Sequence, residues 1–596
     1  MPRITTPARL LVILTGLSSF LLSSAQLSLP NPPFLPPNSS WGAVPSSGGS
    51  PNPQWTTLLG DLLYFYEAQR SGKLPANKRV PWRNDSALED GSDVHLDLTG
   101  GYYDAGDYIK CTFPLSFTLM SICWGAIDYG KGYDMTQQTP YLDSMLRWGL
   151  DWLIKAHPSS DTLYVQVGDA NIDNEYWGGD RNIPTNRPSL VINDTSPGTD
   201  AAAAASAAFA SCSILYSNSS SSTKSTPNAS LNLQPASLQN ASYSQTLLKH
   251  AEQLYYFASS PSNQTLYSTS VPAAGEAYAS SSYYDDLTFS ALWLAWAQKN
   301  ATLYNQAWGM YENWGLGNET GGLDGAFNWD GKTPGIPVLG VQVAQVIGGN
   351  GSKWVGEAER YGDAVVAGSG KGYFTGGGLL YYDGDSDEAS LNPALNAAML
   401  LMRYAPLAST SSKTSAYLSF AKSQVDYVLG NNPMSAPYVV GANPNSPTNP
   451  HSAMAAGGQD ITKIDTSPPQ EAYVIYGAVV GGPDKKDNFW DIRSDWPETE
   501  IALDYNAPLL TLVAAHALND TTDPFYTSLQ AGEYAKRKPN GHPCDAVFSC
   551  VPTLSETGKI AMGVVLGVLG LIVFGLLGWW VVAGRGGGYS PPGYGP

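Results

Sequence analysis

The sequence predicts an all-α domain of about a dozen helices, followed by a single helix that spans a membrane. Apolar residues recur at helical spacing in twelve stretches between residues 55 and 518. No series of short strands with alternating apolar and polar residues is found, which argues against a β-sandwich or an appended all-β module. Long loops rich in Gly, Asp, Asn, Tyr and Trp separate the helical stretches, and such loops tend to carry function.

The first helix is predicted over 55–70, where Leu58, Leu62 and Phe65 share one face, and another clear example over 141–156. The other predicted helices are 115–129, 199–215, 243–259, 283–298, 301–314, 336–348, 353–367, 392–405, 413–429 and 506–518. Helices paired as hairpins can close into a toroid, although their periodicity alone does not establish closure.

The composition is sufficient for a large hydrophobic core and restricts the possible binding partners. Apolar residues make up 43% of the chain and aromatic residues 11%, which is ample for a core. The formal net charge of −19 disfavours nucleic acid or an anionic membrane surface as a partner. A neutral polysaccharide fits this charge, and the protein is expected to be a monomer.

The two ends of the chain predict a single-pass type I membrane protein of the secretory pathway. Residues 1–25 have two arginines, an apolar run and small residues at the cleavage positions, as in a signal peptide. Residues 560–583 form an uncharged apolar run long enough to cross a hydrocarbon core of about 30 Å. A juxtamembrane stalk (531–559) precedes this run, and a short cytoplasmic tail (584–596) follows it.

Residues 26–53 are rich in Pro, Ser, Gly and Asn, which predicts an extended leader, with the ordered catalytic domain (54–530) starting near Trp55. A Ser/Asn-rich insertion at 217–242 is predicted to be a glycosylated excursion between two helices. Acceptor sequences for N-glycosylation begin at Asn38, Asn84, Asn193, Asn218, Asn228, Asn240, Asn263, Asn300, Asn318, Asn350 and Asn519.

The chain has five cysteines and no Cys/His spacing typical of a zinc site. Cys544 and Cys550 stand close together beside the predicted membrane span and are expected to form a disulfide in an oxidising compartment. Cys111, Cys123 and Cys212 lie in apolar or helical surroundings and are predicted to be buried small hydrophobes.

Two acidic elements are candidates for chemistry. The loop 100–107 (Gly-Gly-Tyr-Tyr-Asp-Ala-Gly-Asp) sets Asp104 and Asp107 among small residues that would let a substrate approach. Because two carboxylates this close repel each other, one can be held in place while the other acts as a base. A calcium-binding loop or a simple turn has the same composition, so this loop alone does not decide.

The second element, 489–507, interleaves aromatic residues with carboxylates, a combination that suits sugar binding. Glu500 begins an apolar segment, where partial burial could raise its pKa and keep it protonated as a general acid. The alternative is an acidic residue at a helix start that interacts only with the helix dipole.

At this point the sequence resembles glycoside hydrolase family nine, the inverting endoglucanases. The first element is similar to that family's Gly-Gly-Trp-Tyr-Asp-Ala-Gly-Asp loop, with Tyr102 in place of the tryptophan. The second fits the family's C-terminal signature at Phe489, Asp491, Trp496, Glu500, Ala502, Asn506 and Ala507. Further matches occur in order at 80–83, 166–169, 197–200, 426–433 and 481–484, so the resemblance covers roughly residues 55–520.

The resemblance implies an (α/α)6 barrel and assigns roles. Asp107 matches the catalytic base, Asp104 the neighbouring carboxylate that helps to hold the water, and Glu500 the general acid. Substrate-binding positions are implied at Tyr176, Trp177, His451, Asp491 and Tyr505. An inverting site would place the carboxyl groups of base and acid about 6.5–9.5 Å apart.

The family resemblance also implies a structural calcium site, while the chemistry itself needs no cofactor. The matching positions are Ser281, Ser282, Asp285, Asp286 and Asp330. Hard oxygen ligands suit that ion, but Asp286 replaces the usual glutamate with a shorter side chain.

The sequence departs from the family pattern at three positions that would contact sugar hydroxyls. Asn392 and Ala453 stand where the family has arginines, and Asn174 where it has a histidine; the spacing to His451 is also two residues longer.

The function that the resemblance implies is inverting endo-β-1,4-glucanase activity on cellulose-type or related soluble β-glucans. The alternatives are hydrolysis of another β-glycan, such as mixed-linkage or cell-wall glucan, and a catalytically weak wall-binding surface protein.

Overall fold

The computed structural model describes residues 26–41, 45, 48–217, 233–262, 264–318, 322–550 and 573. The predicted signal peptide (1–25) and cytoplasmic tail (584–596) lie outside these residues, as does the predicted membrane span (560–583) apart from Val573. Among the helices that the structure describes, none is both long and apolar enough to cross a bilayer.

Twelve helices of 13 or more residues form the domain within the described part of the chain. In chain order they are α1 (Pro53–Ala68), α2 (Thr112–Asp128), α3 (Thr139–Ala156), α4 (Thr199–Tyr216), α5 (Ala241–Ser259), α6 (Tyr284–Gln298), α7 (Ala301–Asn313), α8 (Gly335–Ile347), α9 (Ser352–Ala367), α10 (Leu391–Tyr404), α11 (Ser411–Val428) and α12 (Leu503–Asn519). Each lies within a few residues of one of the twelve predicted stretches, so the prediction of a helical domain is confirmed.

The even-numbered helices form a closed inner ring, because each contacts the next and α12 contacts α2. The odd-numbered helices lie outside it, with α5, α7, α9 and α11 each beside the inner helix that precedes it in sequence. Every residue of α2 and of α10 is buried, as expected for helices enclosed on all sides. This arrangement fits an (α/α)6 barrel.

Inner and outer helices alternate along the chain, so the inner helices run in one direction and the loops that lead into them meet at one end of the barrel. The contacts agree: Leu503 N, at the start of α12, donates to Asp104 O, before α2, at 3.0 Å. The rings of Tyr278, before α6, and Trp329, before α8, lie 4.8 Å apart. The candidate catalytic residues all lie at this end.

Two small antiparallel sheets and several short helices complete the described fold. The strands are β1 (Lys110–Cys111), β2 (Leu163–Val167) and β3 (Ser189–Ile192) in one sheet, and β4 (Gly372–Phe374) with β5 (Leu380–Tyr382) in the other. Lys110 pairs with Val167, and Leu163 with Ile192. The short helices are Gly130–Met135, Ala170–Asn174, Tyr267–Ser270, Pro272–Gly275, Asp385–Glu388, Ala453–Ala456, Trp496–Thr499 and Glu533–Arg537.

The described part of the leader contacts the helical domain, which the sequence did not predict. Leu27 N donates to Asp143 Oδ2, and Phe34 N to the hydroxyl of Tyr141, both at 2.7 Å. The ring of Phe34 covers Gly60 in α1 so closely that a Cβ there would lie 2.5 Å from it. The expectation that order begins near Trp55 was therefore wrong, because polar composition does not reveal tertiary contacts of this kind.

The cysteines require one correction. Cys123 of α2 and Cys212 of α4 form a disulfide, so the prediction that both are unpaired was wrong. The two side chains meet only because these inner helices lie side by side. Cys111 is buried and free, as predicted. The chain divides into two compact units, 1–543 and 544–596, and the predicted Cys544–Cys550 disulfide is present within the second.

Candidate active site

The loop 100–107 is held in place by its backbone. Gly100 and Gly101 have φ values of 90° and 72°, a region that favours glycine. Asp104 N donates to Ile109 O at 3.0 Å, which closes the loop on itself. The result is a hydrogen-bonded turn that presents Asp104 and Asp107 from the residues just before α2.

Asp104 is buried, and one of its carboxylate oxygens accepts a hydrogen bond from the hydroxyl of Tyr278. Burial raises the pKa of Asp104 to about 8; the Tyr278 hydroxyl opposes this shift and the carboxylate of Asp504 adds to it. Sequence reasoning missed Tyr278, although it lies only three residues before Ser281 of the segment resembling the calcium site.

Asp107 is partly exposed and is surrounded by other carboxyl groups. Burial of the Asp107 carboxyl group, followed by the negative charges of Asp173, Glu500 and Asp104, raises its pKa well above the ordinary value. The charge of Asp173 makes the largest of these three contributions, and burial raises the pKa of Asp173 as well. Tyr108 N donates to Asp173 Oδ2 at 2.9 Å and fixes this partner, which sequence reasoning also missed.

Glu500 meets this loop from the opposite end of the sequence. Gly106 N donates to Glu500 Oε1 at 3.3 Å. Burial raises the pKa of Glu500 to about 8; the Gly106 amide opposes the shift, and the charge of Asp104 adds to it. The structure therefore brings together Asp104, Asp107 and Glu500. Glu500, which can hold a proton, lies close to the other two carboxyl groups, and this arrangement suits general acid/base chemistry.

His451 lies between the two acidic elements. Its backbone pairs with Glu500 as a parallel bridge, and its Nδ1 lies 2.8 Å from Arg493 O. Because a carbonyl only accepts, Nδ1 carries the hydrogen, and Nε2 is left as an acceptor. The imidazole lies 5.0 Å from the ring of Trp177.

The predicted aromatic binding residues differ in accessibility. Trp177 is only 4% exposed, and its ring packs against the imidazole of His451. Tyr176 and Tyr505 are partly exposed, so each can present part of its ring to a ligand. Tyr176 is anchored by its hydroxyl, which donates to Gly179 O at 2.7 Å.

Asp491 is predicted to bind substrate, but its carboxylate is already engaged. It accepts hydrogen bonds from Thr448 N, Thr448 Oγ1 and Asn449 N at 2.9–3.2 Å, and it is 7% exposed. These contacts hold the loop that leads into His451. The geometry therefore gives Asp491 a supporting role in shaping the site.

The three departures from the family pattern are also visible. Asn392 is buried, and its Nδ2 donates to Asp504 Oδ2 at 2.9 Å. Ala453 is buried, and its amide donates to Gly106 O at 2.7 Å. Asn174 is exposed at the end of the short helix Ala170–Asn174. Asn392 and Ala453 thus contact the two acidic elements, and neither provides a cationic group.

The residues predicted to bind calcium do not fit that ion. Asp285 and Asp286 are buried at the start of α6, and the ammonium group of Lys332 lies 2.9 Å from Asp286 Oδ1. Asp330 Oδ1 accepts the amide hydrogen of Ser281 at 2.8 Å, so that backbone presents a donor there and not a carbonyl ligand. Within the described residues, no group of three or more His, Cys, Asp or Glu side chains could hold a metal ion.

Comparisons with known proteins agree with this geometry. The sequence model of glycosyl hydrolase family 9 matches residues 55–513. Endoglucanase 14 of Arabidopsis thaliana is 37% identical over 485 residues, which cover 77% of this chain and 92% of that protein. Endoglucanase A of Bacillus pumilus is 35% identical over 460 residues, which cover 76% of this chain and 64% of that protein, so the chain spans less than two thirds of its length.

A solved structure shows the same fold. The endoglucanase from the termite Nasutitermes takasagoensis at pH 2.5 superposes with a TM-score of 0.67 and 35% sequence identity. The match covers 78% of this chain and 98% of the termite chain.

Proposed function

This chain belongs to glycosyl hydrolase family 9, and from that premise we propose that it is an inverting endo-β-1,4-glucanase acting on cellulose-type or related soluble β-glucans. The proposal rests on one contact: Glu500 accepts a hydrogen bond from the amide of Gly106, the residue directly before Asp107. The relatives named above, from a plant, a bacterium and a termite, are all endoglucanases.

In the proposed reaction, Glu500 donates its proton to the glycosidic oxygen as the bond from that oxygen to the anomeric carbon breaks. A water molecule attacks the opposite face of the sugar, and Asp107 takes its proton. Asp104, held by the Tyr278 hydroxyl, helps to orient that water. The raised pKa of Glu500 keeps this acid protonated near neutral pH, and the chemistry requires only carboxyl groups and water.

Hydrolysis of a related β-glycan, such as mixed-linkage or cell-wall glucan, is the second candidate. It is favoured by Asn392 and Ala453, which replace the hydroxyl-binding arginines of the family pattern while the carboxyl groups are kept. A catalytically weak wall-binding protein is less well supported, because binding alone would not need three buried or partly buried carboxyl groups at one site.

We further propose that the protein enters the secretory pathway through a signal peptide at 1–25 and is anchored by 560–583 as a glycosylated type I membrane protein. Two disulfides, Cys123–Cys212 and Cys544–Cys550, support an oxidising compartment. Membrane fractionation of the full chain with and without 560–583 would test the anchor: release of the wild type by salt alone would contradict it.

The activity is tested with a soluble β-glucan assay that compares the wild type with Glu500→Gln. Reducing ends should appear with the wild type and almost disappear with the variant. Equal release of reducing ends by both proteins would contradict the assignment of Glu500, whereas glucan binding without hydrolysis by the wild type would favour the wall-binding alternative.

A further inference from the structure

A second cluster of carboxylates lies beside the candidate active site, and it is organised around a lysine. Asp285 and Asp286 are buried in the first turn of α6. Lys332 precedes α8 and is itself only 2% exposed. Its ammonium nitrogen lies 2.9 Å from Asp286 Oδ1, and its backbone amide donates to Asp285 Oδ2 at 2.7 Å.

The ammonium group is satisfied in its other directions too. It donates to the backbone carbonyl of Trp329 and lies 4.1 Å from the ring centroid of Phe113. An ammonium has three N–H donors, and a carboxylate, a carbonyl and an aromatic face are favourable neighbours for them. Lys332 is therefore built into the fold, unlike a surface lysine that reaches a carboxylate by chance.

These contacts leave no suitable place for a calcium ion among the same residues. Calcium takes six to eight oxygen ligands, mostly carboxylates, carbonyls and water. Here the Asp286 carboxylate faces an ammonium group, and Ser281 directs an N–H, not a carbonyl, at Asp330. A divalent ion would have to displace a buried, hydrogen-bonded cation.

We infer that Lys332 is the resident cation of this cluster and that it stabilises the start of α6 without calcium. Two buried carboxylates with no positive partner would be strongly destabilising. A tethered ammonium supplies that partner permanently, so the stability of the region does not vary with the calcium concentration. The inference does not depend on which glucan the site cleaves.

Thermal unfolding of the wild-type protein is the direct test, measured in EGTA and in millimolar calcium chloride. We expect the two Tm values to differ by less than about 1 °C, since a ligand that does not bind the native state cannot raise Tm. If calcium raises Tm by several degrees and Asp286→Asn abolishes that response, the inference is overturned. If the response persists in Asp286→Asn, the ion binds elsewhere and the inference stands.

The charge of Lys332 is tested by Lys332→Met, which should lower Tm by several degrees in EGTA. The control is Lys155→Met, which removes an exposed ammonium 2.8 Å from Asp97 and should leave Tm unchanged. Because Lys332→Met can fail to fold, the double variant Lys332→Met/Asp286→Asn is included. Removing the two charges together should recover much of the lost stability, and a wild-type Tm for Lys332→Met alone would overturn the inference.

Discussion

The backbone amide of Gly106 donates a hydrogen bond to Glu500 Oε1 across 3.3 Å, although the two residues are 394 positions apart in the sequence. Gly106 directly precedes Asp107, so this bond fixes the proposed acid relative to the proposed base. Position 106 accepts only glycine, because a Cβ there would lie 2.2 Å from His451 O. The segments that contain Gly106, His451 and Glu500 thus meet at one point.

The first prediction concerns the two carboxyl groups joined in this way. Asp107→Asn and Glu500→Gln preserve side-chain size and remove the carboxyl function, so each should lower kcat by about 10²–10⁴-fold. The measurement is kcat on a soluble β-glucan, with Tm as the check that the fold is intact.

Glu498→Gln is the matched control. Glu498 lies two residues before Glu500, is buried, and accepts a hydrogen bond from Trp490 N at 2.7 Å. It should keep near wild-type turnover. Wild-type kcat in Asp107→Asn or in Glu500→Gln would show that the role of that residue is wrongly assigned.

The second prediction concerns pH. Glu500 acts while it is protonated, and burial raises its pKa from the ordinary value of 4.5 to about 8. The rate should therefore persist through neutral pH and fall as pH rises through about 8. Asp107 acts while it is ionised, and its raised pKa moves the acidic limb of kcat/KM upward. A pH profile on a soluble β-glucan measures both limbs.

Stability gives an independent check of the same pKa. A carboxyl group with a raised folded-state pKa contributes stability that is full below the unfolded pKa and is lost as pH rises through the folded pKa. The Tm of Glu500→Gln minus the Tm of the wild type should therefore increase as pH rises from 5 to 8. A constant difference over this range would contradict the raised pKa.

The helices could be predicted from sequence because their apolar residues recur at a local spacing. α7, predicted over 301–314, is Ala301–Asn313 in the structure, and α9, predicted over 353–367, is Ser352–Ala367. The acidic elements could be identified as well, since they are contiguous motifs with a distinctive order of residues.

Contacts between distant segments could not be predicted in this way. Tyr278 reaches Asp104 only because the loops before α2 and α6 lie at the same end of the barrel. The Cys123–Cys212 disulfide likewise depends on the packing of α2 against α4. Neither a tyrosine in a loop nor a cysteine in a helix carries a local signal that identifies such a partner.

The third prediction concerns stereochemistry. Direct attack of water on a β-linked glucan inverts the anomeric centre, so the first product should carry an α-configured reducing end. Proton NMR of the early reaction, before the anomers equilibrate, measures this. A β-anomer in the first spectra would rule out the base role of Asp107.

The fourth prediction concerns the Cys123–Cys212 disulfide, which joins two inner helices across 89 residues of sequence. The double variant Cys123→Ala/Cys212→Ala should lose about 2–4 kcal/mol of the free energy of unfolding. Chemical denaturation measures the change. Cys111→Ala, which removes a buried thiol without breaking a covalent bond, is the control, and an equal loss in both proteins would contradict a stabilising disulfide.

The last prediction concerns substrate preference, and it depends on what Asn392 and Ala453 do in place of arginine. Asn392 is occupied with Asp504, and Ala453 is a buried methyl group beside Gly106. Neither can make the charge-assisted hydrogen bonds to sugar hydroxyls that a guanidinium would provide, each contributing about 1.5–3 kcal/mol when well formed.

Taking a chain out of crystalline cellulose requires binding energy for every glucosyl unit that leaves the lattice, whereas soluble chains are already free. The described residues contain only two small sheets and no all-β carbohydrate-binding module that could add to this energy. We therefore expect carboxymethyl cellulose and mixed-linkage glucan to be hydrolysed faster than microcrystalline cellulose at equal mass. Comparable rates on the crystalline substrate would contradict this argument while leaving the acid/base assignment of Glu500 and Asp107 intact.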